Sequence, residues 1–181
     1  KVINFGIIYG MGVNALRTTL GENISREEAA KFLNDYFNDF PGLAGYLEKT
    51  KQSAARTGFT ETLYGRRRAF SGFNSPLPHI RAAAERMAIN APIQGTAADI
   101  TKLAMVEADR WIEKEGLRTR IRLLLQVHDE LVFEVKKEDA AEFGVKIARI
   151  METVVNEKEM NGVPLKAEAK VGSDWGTMEK I

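Results

Sequence analysis

The sequence has no cysteine, which excludes disulfide bonds and metal sites built on thiolate ligands. Only two histidines are present, so a hydrolase that depends on a histidine-rich metal site is disfavoured. No run of about eighteen apolar residues occurs, and a membrane-spanning helix is therefore not expected. The opening stretch KVINFGIIYGMG is interrupted by polar Asn4 and by Gly6, and no signal-cleavage pattern follows it. We interpret it as part of the fold, and we expect a cytoplasmic protein without membrane association.

What is present is a normal core-forming composition, with 44% hydrophobic and 28% charged residues. The formal net charge of +1 hides a local excess of positive charge. Between residues 66 and 86, five arginines accompany the single acid Glu85: Arg66, Arg67, Arg68, Arg81 and Arg86. Such a cluster is a surface that phosphate groups can use. A solvated loop and helix face is the alternative.

The first half of the chain is predicted to be mainly helical. One helix covers the opening stretch and ends at Gly10 and Gly12, and a second begins near Ser25 in the capping-box pattern SREE. A third helix ends at Gly58. The segment FTETLYG alternates and predicts a short strand or hairpin that leads into the arginines.

The second half is predicted to combine long helices with a small sheet. Residues 79–116 have a helical pattern that we expect to be interrupted around Pro92 to Gly95, because proline removes a backbone donor. Two alternating runs around a tight turn predict a β-hairpin at residues 121–135, followed by a helix at residues 138–158. The closing segment VPLKAEAKVGSDW predicts a third strand. The expected fold class is α+β, with helices first and then a small antiparallel sheet backed by helices.

The hairpin segment LLLQVHDELVF has two acids at its tip, Asp129 and Glu130, between apolar runs that we expect to be buried. Paired carboxylates on a rigid turn suit a hard divalent cation such as magnesium. Successive strand residues point to opposite faces, so one acid is expected to be a direct ligand and the other peripheral. A solvated polar turn is the alternative.

Two further patterns bring polar and aromatic groups to a helix face. Lys1, Phe5 and Tyr9 recur every four residues, and a cation with two rings along one face could bind a nucleotide; an ordinary core stripe is the alternative. In ERMAINAPIQGTAAD, the side chains of Arg86, Asn90 and Gln94 can donate to the minor-groove acceptors that all Watson–Crick pairs share. Their alternative role is capping and buried hydrogen bonding around the expected helix break.

These segments together resemble family A DNA polymerases of the bacterial DNA polymerase I type. KVINFGIIYG resembles the second half of motif B, the nucleotide-binding helix of the fingers, and LLLQVHDELVF resembles motif C of the palm. ERMAINAPIQGTAAD resembles the primer–template contact segment between them, and TETLYGRRR and VPLKAEAKVGSDW match in order and spacing. The resemblance covers essentially the whole chain. It implies fingers helices with the following strand and loop over residues 1–78, and the C-terminal part of the palm over residues 79–181.

The resemblance also implies roles in nucleotidyl transfer, in DNA replication and repair. Lys1 would contact the triphosphate of the incoming dNTP, Phe5 would pack against its sugar and base, and Tyr9 would stack at the template position. Asp129 would be a catalytic Mg²⁺ ligand, with Glu130 more peripheral.

A second group of implied residues would bind the primer–template DNA. Arg86, Asn90, Gln94 and His128 would follow the minor groove and the primer end. Arg67 would contact a backbone phosphate.

The sequence departs from the family pattern in one important way. Motif A, with the other catalytic aspartate, and the thumb are absent, and Asp99 is not a convincing substitute because its setting resembles a helix interior. The isolated chain is therefore predicted to be inactive, with the missing N-terminal polymerase portion as its partner. A non-catalytic nucleic-acid-binding fragment is the alternative, and a magnesium-dependent phosphohydrolase is disfavoured because no second acidic cluster stands out.

Overall fold

The structure is a computed structural model that describes residues 2–21 and 23–181. It divides into two compact units, of which the first ends at Thr96 and the second begins at Ala97. The α+β class is confirmed, since the helices carry most of the chain and the strands form small antiparallel sheets. No helix within the described ranges is long and apolar enough to cross a membrane.

Four helices open the first unit: α1 (Val2–Ile8), α2 (Val13–Leu20), α3 (Arg26–Asp39) and α4 (Pro41–Thr57). The predicted end of the first helix at Gly10 and Gly12 is confirmed, whereas α2 was not predicted. This short helix presents Val13, Leu16 and Leu20 at helical spacing, and Leu16 is fully buried.

Local capping defines the limits of α3 and α4 as expected. The Ser25 hydroxyl accepts from the Glu28 backbone N–H at 3.1 Å, and the Ser25 N–H donates to the Glu28 carboxylate at 2.8 Å. This is the predicted capping box. Helix α4 starts with Pro41 and ends before Gly58, whose φ of +79° suits glycine.

A hairpin and a long helix follow. Strands β1 (Phe59–Glu61) and β2 (Arg67–Ala69) pair antiparallel, which confirms the predicted hairpin. Helix α5 (Pro78–Lys114) then runs without a break through Pro92, so the predicted interruption is wrong. The proline removes one intrahelical hydrogen bond, but the helix is buried both before it, at Ala88, Ile89 and Ala91, and after it, at Thr101 and Ala104.

The second unit contains the acid-bearing hairpin and its supporting helix. Strands β3 (Ile121–Val127) and β4 (Glu130–Val135) pair antiparallel, and α6 (Ala140–Thr153) follows a 3₁₀ turn. The core of this unit is made by α5, β3 and α6, and its buried members are Ala108, Ile112, Ile121, Phe143 and Ile147. The rings of Trp111 and Phe143 meet edge to face, with centroids 5.3 Å apart.

The end of the chain differs from the prediction. Helix α6 stops at Thr153, five residues before the predicted Lys158, and the expected third strand does not join the hairpin. Only Lys170–Val171 of that segment form a strand (β5), which pairs with β6 (Glu179–Lys180). The sheets that the structure describes are therefore three separate two-stranded pairs.

Candidate functional site

The tip of the second hairpin is a two-residue turn made by His128 and Asp129, since Val127 and Glu130 are directly paired. His128 has a φ of +54°, a left-handed conformation that two-residue hairpin turns require at their first position. The Gln126 side-chain amide donates to the His128 carbonyl at 2.6 Å and supports this turn. An uncommon backbone conformation at a non-glycine residue often marks a functional position.

The two acids have a different relation from the one predicted. Asp129 lies in the turn, and Glu130 is the first residue of β4, so the alternation of side chains along a strand does not separate them. Both are exposed, and both line the same cleft of about 620 Å³. The predicted division into a direct and a peripheral ligand therefore no longer follows from strand geometry and rests on the family resemblance.

The cleft lies within the second unit, between β4, α6 and the closing segment of the chain. Its lining includes Phe133, Phe143 and Met151 from β4 and α6, and residues 166–172 from the closing segment. It is therefore a mixed cleft, with apolar side chains from the core region and acids from the turn.

The hairpin is not buried as the sequence predicts. Ile121 is 2% exposed, but Leu124 is 55% and Leu125 is 48% exposed. The strand register shifts between Leu123 and Leu125, which indicates a bulge at Leu124. A two-stranded sheet with a bulge covers only part of its apolar surface, so two leucines of this hairpin remain at the surface.

The described residues supply only part of a donor set for a divalent cation. Carboxylate oxygens are the ligands that magnesium prefers, and Asp129 and Glu130 supply them. Among the described residues, however, no three histidine or acidic side chains come together as a metal site. Asp99 lies inside α5, in the helix interior that the resemblance implied. The residues present fit part of a magnesium site.

In the first unit, α1 presents an aromatic face. The rings of Phe5 and Tyr9 stack with centroids 6.2 Å apart and an interplanar angle of 18°. Phe5 is 48% exposed, whereas Ile7, on the other side of the helix, is 1% exposed. Tyr9 is half-buried, but the exposure of Phe5 favours the nucleotide interpretation over a core stripe. Lys1, the third member of the predicted set, lies outside the described residues.

The glycines around this helix have packing roles. A Cβ atom on Gly6 would collide with the end of the flexible Met11 side chain, which fills the space beside Gly6 and would have to move to admit a ligand. Gly10 has a φ of +82°, and a Cβ there would lie 2.9 Å from Cγ of Arg86 and 3.0 Å from Cδ1 of Ile89. The end of α1 is therefore seated closely on α5.

Asn90 of α5 also contacts this junction. Its side-chain amide donates to the Tyr9 carbonyl at 3.4 Å, and its buried oxygen has no hydrogen-bond partner in the part of the chain that the structure describes. Arg86 and Gln94, one turn before and one turn after it on α5, are exposed. The predicted set is thus divided: Asn90 and the stem of Arg86 contact the residues that follow α1, whereas Gln94 faces solvent.

Arg67 is occupied within its own hairpin. Its Nε donates to Glu61 at 2.6 Å, and its guanidinium lies 4.5 Å from the centre of the Phe59 ring. The side chain keeps two thirds of its surface exposed, so it remains accessible to a phosphate. Neighbouring Arg68 lies over the Phe70 ring at 5.3 Å.

Sequence reasoning missed a contact between the first hairpin and α5. Arg66 Nη2 donates to the Gly95 carbonyl at 3.0 Å, and the Leu63 N–H donates to the Thr96 hydroxyl at 3.0 Å. The glycine in a helix was the available signal, but it was interpreted as part of a break.

Comparison with known proteins identifies the family of this chain. The family model of DNA polymerase family A matches residues 1–177. DNA polymerase I of Pseudomonas aeruginosa is 46% identical over 175 residues, which are 97% of this chain and 18% of that protein. The thermostable DNA polymerase I of Thermus aquaticus is 44% identical over 97% of this chain and 20% of its own length.

A solved structure is also similar. The POL domain of Pol1 from M. smegmatis, in complex with DNA primer-template and dNTP, superposes with a TM-score of 0.81 and 40% sequence identity. The match covers 91% of this chain and 28% of that chain. The chain therefore belongs to DNA polymerase family A. It spans about a fifth of the length of these two bacterial relatives.

Proposed function

We propose that this chain is part of a DNA-templated DNA polymerase that transfers a nucleotide from dNTP to a primer 3′ hydroxyl. Residues 1–78 would form the fingers helices with the following strand and loop, and residues 79–181 the C-terminal part of the palm. The family match over residues 1–177 carries this proposal. The cytoplasm remains the expected location.

The aromatic face of α1 is proposed to hold the incoming nucleotide. Phe5 would pack against the sugar and base, Tyr9 would stack at the template position, and Lys1 would meet the triphosphate. The exposure of Phe5 and its stacking on half-buried Tyr9 support this assignment, because an exposed flat ring is a surface on which a base can stack.

The duplex is proposed to contact α5 and the hairpin turn. Arg86 and Gln94 are exposed on α5, so they can reach base edges in the minor groove. Asn90 has a second amide hydrogen besides the one it gives to Tyr9, and this hydrogen can serve DNA. Arg67 would bind a backbone phosphate, and His128 would act near the primer end.

Asp129 and Glu130 are proposed to hold Mg²⁺. When bound, divalent ions activate the attacking oxygen and neutralise charge on the phosphates. The chain contributes by keeping its two carboxylates on a short, hydrogen-bonded turn, with Asp129 as the more direct ligand. Since the described acids fit only part of a site, a further carboxylate is needed, and we expect it from the motif A segment of the preceding polymerase portion.

The cleft beside β4 is the proposed docking place for that portion. Within the described residues β4 pairs only with β3, and residues 163–169 on the other side of the cleft form no strand despite their alternating pattern. One extended segment in the cleft could pair with both. Because Asp129 and Glu130 line the same cleft, such a segment would bring its own carboxylate close to them.

Primer extension tests this function. The purified chain should give no templated addition with Mg²⁺, whereas a mixture with the preceding part of the Pseudomonas aeruginosa polymerase domain should extend a primer. Extension by the chain alone would contradict the proposed division of the site. A mixture that binds primer–template but never extends it would instead favour the non-catalytic nucleic-acid-binding fragment.

A further inference from the structure

The loop between β1 and β2 is fastened to α5 one turn after Pro92. Two hydrogen bonds join them, from Arg66 to the Gly95 carbonyl and from the Leu63 N–H to the Thr96 hydroxyl, each 3.0 Å long. The joined residues are 29 and 33 positions apart in the sequence. We call these residues, together with Thr62, the hairpin–helix joint.

The joint is tightly packed. A Cβ atom on Gly95 would lie only 2.6 Å from Cγ2 of Thr62, so the loop approaches the helix where glycine alone leaves room. Thr62 is 8% exposed, and its hydroxyl accepts from the backbone N–H groups of Tyr64 and Arg66 at 3.3 and 3.2 Å. The loop is therefore internally fixed at the point where it touches α5.

The joint lies on α5 just after Pro92, and this position affects the orientation of Gln94. Pro92 lacks the N–H that would bond one turn back, so the helix is most easily deformed near this residue. Gln94 lies between Pro92 and Gly95 and is exposed. A contact that holds the Gly95–Thr96 turn therefore determines the direction in which Gln94 points.

We infer that Arg66 is a positioning residue for Gln94, and that it acts by holding α5 next to its proline rather than by binding a phosphate. The inference rests on the proposed role of Gln94 in reading the minor groove. A group that must sense small changes in base-pair geometry has to be held within about half an ångström of its working position. Arg66 supplies that constraint through a backbone carbonyl.

The test uses Arg66→Ala, with Arg68→Ala as the matched control. Arg68 is on the same hairpin and lies over Phe70, so its replacement removes the same charge from the same hairpin. Thr96→Val is a second variant that removes the other bond of the joint without changing charge. Amide hydrogen exchange of residues 93–97, and affinity for duplexes with a matched or a mismatched end, are measured on each chain.

Arg66→Ala and Thr96→Val should both accelerate exchange in this turn, and both should reduce the ratio of matched to mismatched affinity several-fold, as Gln94→Ala does. Arg68→Ala should change neither. The salt dependence of duplex binding separates the two possible roles of Arg66, since loss of a phosphate contact lowers the slope by about one and loss of a positioning contact leaves it unchanged.

An unchanged affinity ratio in Arg66→Ala, when Gln94→Ala reduces that ratio, would overturn the inference. So would a lowered salt slope together with normal hydrogen exchange, which would make Arg66 a phosphate ligand. If Gln94→Ala itself leaves the ratio unchanged, the proposed function of Gln94 fails instead. The exchange measurement then still reports whether Arg66 holds the helix.

Discussion

At the scale of single residues, Asp129 is the side chain on which the proposed chemistry depends most. Asp129→Asn keeps the shape of the turn but removes the charge, so duplex binding should persist while turnover of the complemented enzyme falls about 10²–10³-fold. Glu130→Gln should cost less, as its peripheral role implies. Glu134→Gln is the control, because it removes an exposed charge from the same strand. Equal losses in the first two variants would contradict the unequal roles.

Lys1 gives a separate residue-scale prediction. Because a lysine that meets the triphosphate acts on dNTP and not on DNA, Lys1→Ala should raise the dNTP concentration needed for half-maximal incorporation about tenfold or more. Primer–template affinity should stay nearly constant. Single-turnover kinetics and DNA titration measure the two quantities, with exposed Lys49→Ala of α4 as control. Weaker DNA binding with unchanged dNTP dependence would mean that α1 is not the nucleotide face.

At the scale of elements, the capping box of α3 makes stability depend on pH. The hydrogen bonds from the Ser25 backbone and hydroxyl lower the pKa of Glu28 below its usual range. A lowered pKa in the folded state means that the ionised Glu28 stabilises the fold above the pKa of the unfolded chain. This contribution is lost as the pH falls through the folded pKa.

Glu28→Gln should therefore be less stable than the natural chain at pH 7, and the difference should shrink in acid. Urea unfolding between pH 7 and pH 3 measures this change. Glu27→Gln removes the same charge from the same helical turn but leaves the Ser25 contacts in place. The stability difference between Glu27→Gln and the natural chain should therefore not shrink in acid in the same way. Identical pH profiles for the two variants would show that the capping box does not carry the effect.

The elements also show what sequence reasoning can and cannot reach. The capping box and the hairpin turn were predictable because their partners lie within three or four residues of each other. The continuity of α5 through Pro92 was not, because it depends on packing with distant parts of the chain. The hairpin–helix joint connects residues about thirty positions apart, and its local signal, a glycine inside a helix, does not identify the residues that contact it.

The candidate site also combines local features that the sequence predicts with long-range contacts that it does not predict. The spacing of Phe5 and Tyr9 predicted that they share one face, and their rings do lie together at the end of α1. The contact of Asn90 with the Tyr9 carbonyl joins residues 81 positions apart, and the position of Asp129 in the turn follows from the strand register. Neither the Asn90 contact nor the position of Asp129 could be predicted without the folded structure.

At the scale of the whole molecule, the second unit has exposed apolar surface that the proposed docking of the preceding polymerase portion would cover. Leu124 and Leu125 are about half exposed on β3, and the cleft beside β4 contains apolar side chains. Burial of such surface stabilises a complex by roughly 25 cal/mol per Å². A partner that binds only the folded chain also raises its stability, by about 2.7 kcal/mol at a hundred times its dissociation constant.

Docking of the preceding polymerase portion in the cleft can therefore be tested without measuring activity. Addition of that portion should raise the unfolding temperature of the chain, and Ala167→Trp should abolish the rise, because its larger side chain would occupy the cleft that Ala167 lines. Val145→Trp is the matched control, since Val145 is 59% exposed on α6 and does not line the cleft. Each variant is first compared with the natural chain alone, so that a folding defect is recognised. A rise that survives Ala167→Trp would place the docking surface elsewhere, and the exposed leucines of β3 would then be the next surface to alter.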